Sequence, residues 1–198
     1  RQGSALAAAF GIQPLKEETS QSSTLGFAWR PGNGFSLTAD LYNIRIDDRI
    51  VLSGYVTPDG APGCTDPAVC PARVLLEAVN VGAANFFTNA IDTKTKGVDI
   101  VAQYETMLAN EAKVVFDLAY GHNVTTVVAI NSQSSLLSPA ALFDDAQVTL
   151  LEHGLPQDRG QVGFTYSQGR WRVNINNSYY GQVFGKGFGP EYHGRGKW

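Results

Sequence analysis

Two cysteines, Cys64 and Cys70, stand close together in a stretch rich in Pro, Gly and Asp. Residues of that type can hold a metal, cycle redox equivalents or bond to each other. The C-x-x-C spacing is missing and no His lies near. The reading is a local disulfide, a bond that persists in oxidising compartments such as the bacterial periplasm and cell surface. Closing so short a ring contributes only about 2 kcal/mol in the chain-entropy description, enough to pin a loop. His122, His153 and His193 have the right chemistry for metal ligands, but they are scattered and no spacing preforms a site. The pairs Asp47-Asp48 and Asp144-Asp145 offer oxygens for Ca²⁺ without an EF-hand pattern. Both are read as solvated loop or strand-top carboxylates. Gly185-Lys186-Gly187-Phe188-Gly189 shares only its glycines with a phosphate-cradling loop. No serine sits in a G-x-S-x-G elbow. The expectation is a protein that is not an enzyme, with no cofactor and no resident metal.

Something must position these scattered groups, and composition narrows what it is. The 198 residues carry a net charge of −3, with no basic stripe of the sort that tracks nucleic acid. No apolar stretch approaches the ~20 residues of a membrane-crossing helix. Glycine is abundant at 21 residues and charged residues make up only 17%. That balance fits tight turns and small side chains on a sheet.

Six segments alternate with period two, the mark of a sheet with two different faces. Leu25, Phe27 and Trp29 share one face of the first. Leu37, Ala39 and Leu41 do so in the second, and Val98, Ile100, Ala102 and Tyr104 in the third. Val114, Phe116, Leu118 and Tyr120 follow in the fourth, then Val162, Phe164 and Tyr166, then Trp171, Val173 and Ile175. None of these faces holds a charge. The opposite faces hold Arg30, Asp40, Asp99, Glu105, Lys113, Asp117 and Arg172. After Leu41 the apolar phase moves to Tyr42, Ile44 and Ile46. Either a bulge reverses it or the strand continues above a membrane.

Three short connections (Pro31–Gly34, Thr106–Glu111, Gln168–Arg170) alternate with three long segments (Arg49–Ala84, Asn123–Asp158, Gly181 onward). Outer-membrane β-barrels have short periplasmic turns and long extracellular loops in this way. Trp29, Phe35, Tyr104, Tyr166 and Trp171 gather beside the short turns, as an interfacial girdle would. A soluble or surface-attached β-sandwich that binds glycans or proteins would also alternate, and it is the alternative. A third reading, a barrel enzyme acting on lipids, would need a Ser/His pair converging at the outer rim. Six strands are too few to close a membrane barrel, whose smallest members use about 8, so the expected fold is an all-β, antiparallel up-and-down transmembrane barrel segment.

Three stretches carry a family resemblance. Leu15-Lys16-Glu17-Glu18-Thr19-Ser20, with Gly26-Phe27, resembles the signature that opens a barrel strand in TonB-dependent outer-membrane receptors, with Glu17 where Pro is usual. Leu37-Thr38-Ala39-Asp40-Leu41-Tyr42-Asn43-Ile44, running into Ile46-Asp47-Asp48-Arg49-Ile50, is similar to the next strand of that family. Asn85-Phe86-Phe87-Thr88-Asn89-Ala90, through Thr95-Lys96-Gly97-Val98-Asp99, resembles the strand that descends after a long external loop. With the strands they open, these motifs cover about half of the chain. The resemblance implies a wall segment from the C-terminal half of a barrel of about 22 strands with a plugged lumen. It implies residence in the bacterial cell outer membrane and uptake of an iron–siderophore complex, cobalamin or a carbohydrate. It also implies energy supplied by TonB with ExbB and ExbD. On this reading residues 1–198 are a partial barrel domain, with the plug and the barrel C-terminus lying outside them. Outer-membrane lipid and an unidentified small molecule are the expected partners, and nucleic acid is not. Ligand contact would come from external loops and strand tops, where Tyr55, Phe86, Phe87, Asn89, Tyr180 and Tyr192 are the candidates. Their rings could stack on a ligand or merely pack the loops together.

Overall fold

A computed structural model describes residues 5–58, 70–131, 134, 136, 137 and 139–186. Six strands form one antiparallel sheet in sequence order: β1 (Thr19–Gly32), β2 (Phe35–Leu52), β3 (Phe87–Met107), β4 (Lys113–Ile130), β5 (Asp158–Gln168) and β6 (Trp171–Tyr180). Helices lie only outside the strands: α1 (Ala5–Ala9), α2 (Pro71–Ala78), α3 (Pro139–Leu142) and α4 (Asp145–His153). Among the described residues no helix is long and apolar enough to cross a membrane, which does not bear on strands.

The short connections are tight for local reasons. At the first, Asn33 (φ 53) and Gly34 (φ 76) both have positive φ. A type I′ hairpin turn demands that, and Asn-Gly supplies it at least strain. At the third, Gly169 (φ 55) occupies the first central position between Gln168 and Trp171.

The central strands are longer than the alternation alone indicates. β2, β3 and β4 run 18, 21 and 18 residues, where about 9–11 suffice to cross a bilayer. The expected long segments therefore begin later: strand pairing continues to Leu52 and Ile130, and the first segment runs on to Phe86, with β3 starting at Phe87. The phase change after Leu41 is also resolved. Pairing of β1 with β2 is unbroken from Trp29↔Leu37 to Thr19↔Asp47. No bulge intervenes, so the strand simply continues beyond the apolar zone. The register of β2 against β3 first shifts higher, between Ile46 and Arg49, where Asp48 adopts φ 56.

Pairing places the apolar faces of all six strands on one side of the sheet. Leu25 stands opposite Leu41, Leu41 opposite Val98, and Ile100 opposite Tyr120. Phe116 stands opposite Phe164, and Phe164 opposite Ile175. Leu25 is 71% exposed, Ile175 59% and Trp171 73%. Nothing among the described residues covers this side, whereas a sandwich would press it against a second sheet about 10 Å away. The uncovered side is the one a bilayer covers.

The described buried core lies beyond the long-loop end. Phe10, Val56, Cys70, Ala72, Leu76, Phe86, Leu137 and Leu142 cluster there, drawn from the N-terminal segment and both long loops. Cys70 is buried as the N-cap residue of α2. Cys64, and with it the disulfide expected from the sequence, lies outside the described residues.

Candidate functional site

The three motif stretches meet at the tops of the strands. Asn89, on β3 and only 3% exposed, is the centre of the junction. Its Oδ1 accepts the Lys16 N–H at 2.9 Å, and its Nδ2 donates to the carbonyls of Lys16 (2.9 Å) and Asp48 (2.6 Å). The amide thus stands in for a strand partner on both sides. Glu18 accepts the Ile50 N–H at 2.6 Å, and Asp92 accepts the Asp48 N–H at 2.9 Å. Both bonds satisfy backbone groups that the irregular register of β2 would orphan. Lys16 Nζ lies 2.7 Å from Asp48 Oδ1, and Arg45 Nε lies 2.7 Å from Asp47 Oδ1. The Asp47-Asp48 carboxylates therefore face cationic side chains.

Below the junction, the inner side of the sheet is polar. Glu105 pairs with Lys113 at 2.7 Å, and Gln103 donates to Asp117 at 2.7 Å. Higher up is a shallow hollow of about 360 Å³ lined by Asp99, Gly121, Arg159, Gln161, Ser178 and Tyr180. Two glycines at this level admit neighbouring side chains. A Cβ at Gly121 would lie 2.7 Å from Asp99 Oδ1, and one at Gly97 would lie 2.3 Å from the Tyr42 ring. Asp99 leans over Gly121 toward β5, where Arg159 is the direct partner of Gly121. Tyr42 lies flat across Gly97, within the field of both Asp99 and Arg159. A Gly97→Ala exchange also meets the His122 carbonyl, at 2.7 Å. It is expected to cost about 1–3 kcal/mol as an overpacking change, read as a lower unfolding temperature of the protein in detergent.

The loop between β4 and β5 folds over this same side. Val148 and Leu151 of α4, with Phe143, pack against Ile91 and Val127, which are inward positions of β3 and β4. Glu152 accepts the Val127 N–H at 2.7 Å, where the β3–β4 register steps. Asp144 caps α4 through a capping box with Gln147, so the Asp144 carboxylate serves the helix. Lys186, from the glycine-rich stretch, reaches Asp145 at 3.3 Å, while Gly187 onward lies outside the described residues.

The other expected groups separate. His122 bonds Asp158 (2.8 Å), which also accepts the Tyr120 hydroxyl (2.7 Å). His153 touches Gln157 at the end of α4, and His193 lies outside the described residues. Among the described residues no serine hydroxyl is bonded to either histidine, and no three His, Cys, Asp or Glu side chains group around a metal position. Tyr55 (63%) and Phe87 (59%) are exposed at the loop end, and Tyr180 (57%) lines the hollow. Phe86 packs on Phe10 with ring centroids 5.5 Å apart, and Asn89 is enclosed in the junction. Tyr192 lies outside the described residues. Arg159, Gln161 and Ser178 were not singled out from sequence. Their only signal was inward parity beside Gly160 and Gly163.

On the outer side, Trp29, Phe35, Tyr104, Tyr166 and Trp171 all sit at the short-turn end. Phe35 is opposite Tyr104, and Trp29 meets Phe35 edge-on at 5.7 Å. Below the Leu41–Val98 level, where His122 and Asp158 stand on the same side, the outer side carries no Asp, Glu, Lys or Arg down to this girdle, and Asn177, opposite Val162, is polar within it. A family model described as TonB dependent receptor-like, beta-barrel matches residues 2–196. The chain belongs to this family. No curated protein matches it. TonB-dependent receptor barrels are outer-membrane transport receptors of Gram-negative bacteria, and the chain has the corresponding wall: lipid-facing apolar side, polar inner side, tight turns at one end and folded loops at the other. In a receptor barrel the hollow faces the lumen, and α4 packs on the same inner side nearer the strand tops.

Proposed function

We propose that this chain forms part of the wall and external loops of an active transporter that takes up a scarce ligand, an iron–siderophore complex, cobalamin or a carbohydrate. A plug domain and further strands complete the barrel. TonB, with ExbB and ExbD, supplies the energy through that plug. The observation that carries the reading is the hollow on the inner side of the sheet. Asp99, Arg159, Gln161 and Ser178 offer both signs of charge together with amide and hydroxyl groups, and Tyr180 offers an aromatic edge. Such a set suits a ligand rich in hydroxyl or carboxyl groups, held by several bonds of which none dominates. Tyr55, Phe87 and Tyr180 are the candidate contacts with accessible rings; Tyr192 is a further one.

Uptake by cells making the full-length receptor tests the reading, with labelled ferric siderophores, cobalamin and oligosaccharides as the panel. One ligand class should accumulate, and accumulation should stop when TonB is deleted or the proton gradient is collapsed. Arg159→Ala should lower uptake at least tenfold at unchanged receptor level in the outer membrane. Accumulation indifferent to TonB, or no receptor-dependent accumulation of any panel member, would overturn it.

A further inference from the structure

α4 has nine residues, too few to hold a helix unaided, since isolated helices shorter than ~12–15 residues are marginal in water. Its attachments therefore decide both that it forms and whether it moves. A lid hinges on ends that make few contacts. Neither end of α4 is free in that way.

At the N-terminal end, Gln147 works in two directions. Its Oε1 accepts the Asp144 N–H at 3.0 Å, closing the capping box, and its Nε2 donates to the Leu52 carbonyl at the end of β2 (3.1 Å). Just before α4, the Leu142 carbonyl accepts the Gly54 N–H at 3.0 Å, and the Leu142 side chain is enclosed in the core that holds Phe10, Leu76 and Phe86. In the middle, Val148 and Leu151 pack on the inner side of β3 and β4. At the C-terminal end, the His153 carbonyl accepts the Phe184 N–H at 2.8 Å, and the two rings meet edge-on at 6.3 Å. The attachments thus come from the end of β2, from the wall itself and from the segment that leaves β6.

One of them fills a vacant place in the ladder. β5 pairs with β4 only as far as His122↔Asp158, and the next such bond runs from the Asn123 N–H to the Gln157 carbonyl. N–H groups alternate in direction along a strand, so Val127 points its N–H to the same edge, where β5 no longer runs. Glu152 of α4 accepts it at 2.7 Å. We infer that α4 is a fixed ledge of the inner wall, clamped from three directions as one unit, and not a lid that swings across the mouth. Leu150, turned away from Val148 by the helical period and 62% exposed, is then a constant apolar contact on that ledge. Its meaning for ligand entry rests on the transport reading, whereas the clamp itself rests on packing alone.

Hydrogen exchange of the full-length receptor in lipid nanodiscs, resolved by mass spectrometry of fragment ions, tests the inference without ligand. In the wild type, the Val127 amide and the α4 amides from Val148 to Gly154 should be protected to within about threefold of each other, because one opening event exposes them all. Gln147→Ala and Phe184→Ala, at opposite ends of the helix, should each lower both protections about tenfold. Glu152→Gln, which keeps an acceptor for Val127, should change them by less than about twofold. A Val127 amide that exchanges far faster than α4 in the wild type would mean a helix leaving the wall intact, as a lid does, and would overturn the inference. So would unprotected α4 amides, or substitutions that each loosen only their own end. Amides of β4 from Phe116 to Tyr120 should stay unchanged and report an assembled barrel. Where a variant fails to assemble, the wild-type comparison decides, since it needs no substitution. No ligand takes part, so this outcome is separate from that of the uptake panel.

Discussion

Asn89→Ala is expected to lower the stability of the full-length receptor by about 3 kcal/mol. The side chain makes three hydrogen bonds, to the Lys16 N–H, the Lys16 carbonyl and the Asp48 carbonyl, and is 3% exposed. Each such bond contributes roughly 1 kcal/mol net, and a partner left unsatisfied in a partly buried place adds to the loss. The effect should appear as a lower temperature for loss of heat-modifiable migration. Protection of the segment around Lys16 from protease should fall with it, because that segment has no ladder partner of its own there. Asn89→Asp should be no better than Ala, since it keeps the acceptor, loses both donations and adds a carboxylate near Asp48. A variant that melts with the wild type would show that the junction is incidental, and would reopen Asn89 as a residue kept for ligand.

The second large effect separates the two sides of the sheet. Leu118→Arg places a guanidinium on the outer side, among Ala102, Phe116 and Val162. A cation near the midplane of a barrel wall costs about 2–4 kcal/mol. Gln103→Arg, on the inner side of the neighbouring strand, meets Asp117, to which Gln103 already donates at 2.7 Å. Its cost should stay below about 1 kcal/mol, as for a solvated pair. Assembly yields and urea unfolding in lipid vesicles measure both. Equal tolerance of the two would contradict a membrane on the apolar side, and a sensitive Gln103 with a tolerant Leu118 would invert the wall.

Much of this contrast is legible without coordinates, because strand polarity is a local property. Side chains alternate with period two whatever the strand pairs with, so Leu25 to Trp29 and Val114 to Tyr120 declare their faces from sequence. Asn33-Gly34 declares its turn because few other residues tolerate two successive positive φ angles. The aromatic girdle follows from the same alternation once the short turns are located. Family membership was readable from three motifs for a related reason: each is a contiguous stretch.

Tertiary structure decided whatever depends on register and on loops. The bond between Lys16 and Asn89 joins residues 73 apart in sequence, and only the pairing of β2 with β3 brings Asp48 to complete it. Sequence offered Asn89 as a ligand contact because it lies at a strand top in a polar motif. Packing encloses it because the irregular pairing near Asp48 exposes backbone groups that need a partner. The apolar run at Tyr42, Ile44 and Ile46 could mean a bulge or a projecting strand until unbroken pairing to Thr19↔Asp47 chose the second. The inward fold of α4 over Ile91 and Val127 has no periodic signal, since it rests on a few long-range contacts from a helix of nine residues. Alternation is written residue by residue, whereas register is fixed by turns and by every other pair in the ladder, so the first belongs to the sequence and the second to the assembled sheet.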